Sequence, residues 1–477
     1  MLIVGAGLSG IGAAWHLQHQ CPDHSYAIVE ARDAIGGTWD LFRYPGVRSD
    51  SDMYTLGYRF KPWHKTRAIA DGGEICAYVR ETARENGIDQ QIRFGHRVTA
   101  AAWSCADARW TVDIERGDNA APVQISCNFL YLGAGYYRYD KGYTPDLPGI
   151  DSYRGRVVHP QHWTGDIDHA GKRIVVIGSG ATAITLLPAL AHTAAHVTML
   201  QRSPTYVAAL PAEDAAARWL QRHLPLRWAY TLARWKRVLL GMVIFQMCRY
   251  NPDGMKKILL ARVRDALPAG FDVGKHFTPR YKPWEQRLCL APDGDLFKAI
   301  RSGKASVVTD RIDHFTATGI TLQSGQHLDA DLVVSATGLN LQVFGGLRLS
   351  VNGQPVDPAQ TVGYKGFLFS GLPNFASCFG YTNASWTLKA DLTSEFLCRL
   401  LNHMRRKGFT QCVPRNDGPV LDDRPWIDFS SGYFQRAMHK LPRQGLQPPW
   451  KLHQNYLRDI VQLRWGTLND GVLQFRR

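Results

Sequence analysis

Two short glycine runs carry the first chemistry legible in this chain. Near the start, Gly5-Ala6-Gly7-Leu8-Ser9-Gly10 follows the apolar Leu2-Ile3-Val4. Further on, Gly178-Ser179-Gly180-Ala181-Thr182-Ala183 follows Arg173-Ile174-Val175-Val176-Ile177. A strand that breaks at glycine and resumes as a helix gathers unpaired N–H groups and the positive helix end at one point, which suits a pyrophosphate. In the first run Gly5 makes the turn, Gly7 lets the backbone approach the phosphates, and Gly10 lets the helix pack on the strand. The second run is the GxGxxA variant of the same pattern.

The ends of the next strands tell the two sites apart. Tyr26-Ala27-Ile28-Val29 closes in Glu30, 20 residues after Gly10. A carboxylate there accepts hydrogen bonds from a ribose diol and repels a 2′-phosphate. His196-Val197-Thr198-Met199-Leu200 closes in Gln201-Arg202-Ser203. The repelling acid is absent, and an arginine fork beside a hydroxyl fits a 2′-phosphate dianion. FAD is therefore expected at the first site and NADPH at the second.

These loops require an α/β architecture with two Rossmann-like dinucleotide-binding domains. More strands continue the pattern. Arg109–Ile114 and Phe129–Leu132 lead into Gly133-Ala134-Gly135, while Ile320–Leu322 and Asp331–Ser335 lead into Ala336-Thr337-Gly338. Two such returns predict a discontinuous FAD domain: residues 1–148, an NADPH domain over 149–330, then a resumed FAD domain and C-terminal segment over 331–477. Residues 211–275 carry Leu, Arg and Trp at helical spacing and read as a helical insertion in the second domain. A packed helix with a solvated basic face and a peripheral membrane-docking face both fit that stretch.

A length of 477 residues allows two or three domains, each with its own core. The nine cysteines are odd in number and never spaced CxxC, so reduced thiols of a cytoplasmic protein are expected, with no disulfide frame or metal site. No secretory signal is read at the start. The longest apolar run, Val238–Cys248, is too short to span a bilayer. A net charge of +15 suggests anionic partners, but no nucleic-acid motif accompanies it. Only four residues precede Gly5, a short central strand with few ladder bonds, and two readings of it stay open: weak FAD retention, or a start assigned too late.

The loop after Glu30 runs Gly36-Gly37-Thr38-Trp39-Asp40-Leu41-Phe42-Arg43-Tyr44-Pro45-Gly46-Val47-Arg48-Ser49-Asp50. This GGTW…RYPG segment resembles class B flavin monooxygenases. Tyr153-x-Gly155-x-x-x-His159-x-x-x-Trp163 resembles the Baeyer–Villiger fingerprint FxGxxxHxxxW, with Tyr153 in place of Phe and Thr164 in place of the usual Pro or Asp. The closing Trp163 distinguishes it from the hydroxylating relatives. The similarity continues through Gly380–Asp391 and Asn455–Asp459.

The resemblance implies NADPH- and oxygen-dependent conversion of ketones to esters through a flavin C4a-peroxide, together with S-oxidation of sulfides or thioamides. It implies Ser9, Glu30, Gly37, Thr38, Trp39, Asp40, Leu41 and Val98 at FAD. It implies Arg48, Ser49, Asp50, Gly178, Ser179, Gly180, Ala181, Thr182, Ala183, Ile184, Arg202 and Ser203 at NADP. Arg287, in Glu285-Gln286-Arg287-Leu288-Cys289, resembles the family's catalytic arginine, with Asp50 as the carboxylate that orients it. Where a lysine often precedes that arginine, this chain has Gln286. The chemistry suits the residue: a peroxyanion and a tetrahedral oxyanion both need a fixed cation, and arginine stays protonated in a water-poor site. His159 and Trp163 are expected to hold the linker between domains. Two other readings stay open: a flavin hydroxylase of amines or sulfides without ketone insertion, and a catalytically idle nucleotide-binding redox sensor. A disulfide reductase is set aside, since residues 30–60 contain no cysteine.

Overall fold

The computed structural model describes residues 1–117, 120–416, 425–427 and 429–477. Strand Leu2–Val4 lies between two parallel neighbours, Ala27–Val29 and Leu130–Leu132, with Ile92–Arg93 beyond the former. All three residues of Leu2–Val4 are buried, as expected for a parallel strand covered on both faces. Phe375–Ser377 extends this sheet beside Leu130–Leu132 and brings two short antiparallel strands with it. Helix Leu8–Gln20 packs on the sheet, and the long C-terminal helix Trp386–Lys407 packs beside it in the same core. An antiparallel meander, His96–Ser104, Arg109–Arg116 and Ala120–Cys127, is joined by the distant Arg348–Val351. Trp103 and Trp110 fill its packed face.

The second sheet is parallel through Ala305–Thr309, His196–Gln201, Arg173–Ile177, Leu332–Ser335 and Arg156–Val158. Its pairing corrects the expected re-entry into the first domain near residue 331. Leu332–Ser335 pairs with Arg173–Ile177 and Arg156–Val158, so it closes the second domain, and the first domain is regained only after Gly338. The physical reason lies behind each glycine turn. A Cβ added to Gly5 would stand 2.8 Å from the Gly133 carbonyl, and one on Gly178 would stand 2.3 Å from that of Ala336. Each return turn therefore backs the phosphate loop of its own sheet.

The chain passes from one large sheet to the other and back once, and the two crossings run side by side. Arg138 donates to the Asn340 carbonyl, Tyr143 donates to that of Gly338, and Gln342 donates to that of Tyr136. His159 donates from Nε2 to Gly338 O at 3.0 Å, while its Nδ1 accepts from the Gln161 N–H. Burial lowers the His159 pKa, consistent with a neutral ring fixed by those two bonds. Trp163 is buried in the core of the second domain.

The 211–275 stretch forms four helices: Ala215–His223, Leu226–Tyr250, Pro252–Ala266 and Val273–Phe277. The first two lean on the first domain. Ala217, Tyr230, Ala233 and Val238 join its core, and Arg234 donates to the carbonyls of Tyr54 and Gly57. The last two join the core of the second domain through Val263, Val273 and Phe277. No helix among the described residues is long and apolar enough to cross a membrane.

Candidate active site

Both glycine loops open into one cavity of about 1330 Å³, larger than the roughly 300–1,000 Å³ of a pocket for a single small ligand. Helix Leu8–Gln20 begins at Gly7 and helix Ala181–Leu190 at Gly180, and neither start has a side-chain cap. An uncapped helix start needs an outside acceptor, and a phosphate meets that need. At Gly10 an added Cβ would sit 1.8 Å from the Gly5 carbonyl, so helix and strand close only on glycine. At Gly180 it would meet no atom within 4 Å, so the space over the second loop is open. A dinucleotide fits both cradles.

On the first side, Glu30 is 6% exposed; it accepts from the Ala6 N–H at 2.7 Å and the Arg32 N–H at 2.9 Å. Burial raises its pKa, and those two bonds oppose the shift. Ser9 accepts from the Trp386 indole at 2.7 Å, and its hydroxyl also reaches the Cys378 thiol. Gly37 packs against Gly7, and Thr38 meets the Tyr139 hydroxyl at 3.2 Å. Gly5, Gly7, Thr38, Trp39 and Val98 line the cavity with them. Asp40 and Leu41 do not line it: the Asp40 carboxylate is 4% exposed and faces Arg32, Arg43 and Arg80.

On the second side, Ser179, Gly180, Ala181, Thr182 and Ser203 line the cavity, whereas Gly178, Ala183 and Ile184 lie behind it in the turn and the helix–sheet packing. Ser179 donates to the Ser203 carbonyl at 2.8 Å, which ties the phosphate loop to the end of the next strand. Gln201 is buried and spends its amide on His276 O and Thr309 Oγ1. Arg202, just beyond, is exposed at the rim and does not line the cavity.

Between the two loops stand Arg287 and Asp50. Arg287 Nε lies 3.5 Å from Asp50 Oδ2, with the side chains 40% and 12% exposed respectively. Burial pulls the Arg287 pKa down, but Asp50 and the neighbouring Tyr136, Tyr433 and Tyr137 outweigh it and the net shift is upward. The guanidinium thus keeps its proton at any working pH. Burial raises the Asp50 pKa, opposed by Arg287, Arg48 and a backbone N–H from Leu290. Arg48 reaches across the domain boundary instead of into open space: Nη1 donates to Asp295 Oδ2 at 2.6 Å and Nη2 to the Leu290 carbonyl at 3.4 Å. It fastens the loop carrying Asp50 to the strand Cys289–Pro292 that follows Arg287. Ser49 and Gln286 line the cavity beside them.

Several lining residues escaped the sequence reading. Tyr136, Tyr137 and Tyr139 follow the Gly133 turn, and Phe429, Tyr433 and His439 arrive from the C-terminal segment. The first group sits beside a recognised turn and could have been found from it. The second carries no local signal. Cys289 also lines the cavity, but burial pushes its thiol up to about 12, and all nine cysteines are free.

Comparison with known proteins agrees with this geometry. A model described as NAD(P)-binding Rossmann-like domain matches residues 3–66, and one described as flavin-binding monooxygenase-like matches residues 68–217. The chain belongs to the flavin-binding monooxygenase-like family and is a flavin monooxygenase. It is 54% identical over its whole length, and 97% of the relative's, to the FAD-containing monooxygenase EthA of Mycolicibacterium smegmatis. It is 55% identical to the protein of that name in Mycobacterium tuberculosis, with the same coverage. Among solved structures, an oxidized steroid monooxygenase bound to NADP superposes with a TM-score of 0.78 at 22% identity, covering 99% of this chain and 98% of that one. An OTEMO complex with FAD and NADP gives 0.76 at 21% identity, covering 100% and 99%.

Proposed function

We propose that this flavin monooxygenase binds FAD at the Gly5 loop and NADPH at the Gly178 loop, and inserts one atom of O₂ beside a ketone carbonyl to give an ester. Sulfides and thioamides are oxidised at sulfur by the same site. The carrying observation is the placement of the Arg287–Asp50 pair on the wall of the cavity into which both uncapped helix starts open. The FAD and NADP bound in the OTEMO structure and the NADP in the steroid monooxygenase support the pair of cofactors.

FAD, when bound and reduced by NADPH, supplies the activated oxygen. The chain's own residues do the rest. Glu30 accepts from a ribose diol beside the first loop, and Arg202 with Ser203 takes the 2′-phosphate beside the second. Arg287 presents a permanent positive charge to oxygen atoms on which negative charge gathers, and Asp50 holds it in place. Arg48 positions Asp50 by tying its loop to Asp295. Tyr136, Tyr433, Phe429 and Trp386 give the cavity aromatic walls that limit water. A preorganised cation in such surroundings is worth more than in water.

FAD-loaded protein, NADPH and ¹⁸O₂, offered a panel of ketones, sulfides and amines, should convert ketones to esters carrying one labelled oxygen, identified by mass spectrometry. Labelled S-oxides or N-oxides with no ester from any ketone would assign the hydroxylase reading instead. NADPH consumption with no oxygenated product would refute the oxygenase site altogether.

A further inference from the structure

We propose that the outer face of the helical insertion docks on the surface of an anionic lipid bilayer. Helix Leu226–Tyr250 has 25 residues, about 37 Å at 1.5 Å per residue. Its inner face, with Ala229, Tyr230, Ala233, Arg234 and Val238, is buried. The outer face of an ordinary surface helix would be polar. Here Trp228, Leu232, Trp235, Leu239, Val243, Met247 and Tyr250 are all exposed and follow one another at intervals of three or four residues. They form a continuous apolar stripe along the solvent side. Trp228 is 67% exposed and Tyr250 87%.

The stripe does not stand alone. Leu457, Val461 and Trp465, each four residues apart, are also exposed, the last at 70%. Leu457 lines an apolar groove of about 540 Å³ with Leu239, Met247 and Tyr250, so the two stripes form one surface. Contiguous apolar area of this extent marks a contact surface, and aromatic residues with one apolar and one polar end favour the bilayer interface.

Charge selects the occupant. Residues 211–275 contain twelve lysines and arginines and five carboxylates, with Glu213 and Asp214 paired to Arg218, Lys236 and Arg237, and the 25-residue helix contains no carboxylate. Arg222, Arg227, Arg249, Lys257 and Arg262 are exposed. A second copy of this chain would bring one strongly basic face against another. An anionic headgroup layer supplies both the countercharge and the apolar depth for the stripe. With no helix among the described residues fit to cross a membrane, the contact lies in the interface plane.

The test is co-sedimentation of the FAD-loaded protein with phosphatidylcholine vesicles, with and without phosphatidylglycerol. The wild type should pellet with the anionic vesicles, release at high salt, and stay in the supernatant with the neutral ones. Arg222→Gln with Arg249→Gln should weaken binding about fivefold per charge, ~25-fold together. Leu239→Glu with Val243→Glu should weaken it at least about tenfold. Both pairs should keep bound flavin, melting temperature and NADPH oxidation at wild-type values. Wild-type protein that ignores anionic vesicles overturns the proposal. So does equal binding to neutral vesicles, or a solution dimer that Leu239→Glu dissociates while vesicles have no effect.

Discussion

Replacing Arg287 by alanine separates the two halves of the reaction. The guanidinium stands 3.5 Å from Asp50 and is 40% open to the cavity, and its upward-shifted pKa leaves no assay pH at which the charge disappears naturally. Loss of one preorganised donor facing developing negative charge typically costs ~3–4 kcal/mol, a factor of about 10²–10³. The partial exposure of Arg287 argues for the lower end, since solvent screens some of the interaction. Arg287→Ala should therefore lower kcat for ketone oxygenation about 100-fold. Arg287→Lys, which keeps a point charge but loses the Nε contact to Asp50, should recover about tenfold of that. Neither change touches the glycine loops, so NADPH should still bleach the flavin within a few-fold of the wild-type rate in anaerobic stopped flow. NADPH oxidation should then continue in air with hydrogen peroxide replacing ester. Ester formation by Arg287→Ala within threefold of wild type would refute the role assigned to this residue.

The other predictions concern the frame around that charge. Gly180→Ala adds a methyl to open space over the second loop, so the protein should keep its melting temperature while the NADPH KM rises at least about tenfold; Gly178→Ala, at φ +134° and against the Ala336 carbonyl, should instead destabilise the domain, as thermal melts would report. Arg202→Ala should raise the NADPH KM and narrow the preference over NADH; an unchanged ratio of kcat/KM for the two would dismiss the 2′-phosphate site. Burial raises the Asp50 pKa, so its ionisation costs stability above that pKa. Asp50→Asn should thus leave the melting temperature level or higher while ketone turnover falls at least about tenfold. His159 has a lowered folded pKa, so its share of stability is complete above the ordinary histidine value near 6.5 and declines as pH falls below it; His159→Gln should flatten part of the melting-temperature slope between pH 7 and 5.

The glycine loops were legible because the backbone leaves no alternative there. Gly5 at φ +102° and Gly10 against the Gly5 carbonyl exclude a side chain, and that restriction is written in residue type. The split between Glu30 and Gln201 was legible for a related reason, since a strand end has one residue at its tip. Strand pairing was not. Leu332–Ser335 is uniformly buried, as any parallel strand would be, and its alternation cannot say which sheet it joins. Nor could local pattern reveal that Arg48 turns to Asp295 or that Asp40 faces three arginines away from the cavity. Both arrangements depend on residues that only the tertiary fold brings near. Tyr433 and Phe429 reach the cavity wall from more than 140 residues beyond Arg287, and nothing in their neighbours' spacing announces it.

The paired crossing segments have a mechanical consequence. The two links between the large sheets run through one narrow ribbon, laced by Arg138 with Asn340 and by Tyr143 with Gly338. Such a ribbon defines a single axis about which that domain could swing. The Ala215–His223 and Leu226–Tyr250 helices, however, leave the second domain and anchor on the first through Arg234, whose guanidinium is buried among three carbonyls and the Tyr230 hydroxyl. Any swing must carry this bracket along or pull a buried cation off its acceptors. A change in the width of the cleft would therefore have to move the seat of the insertion as well.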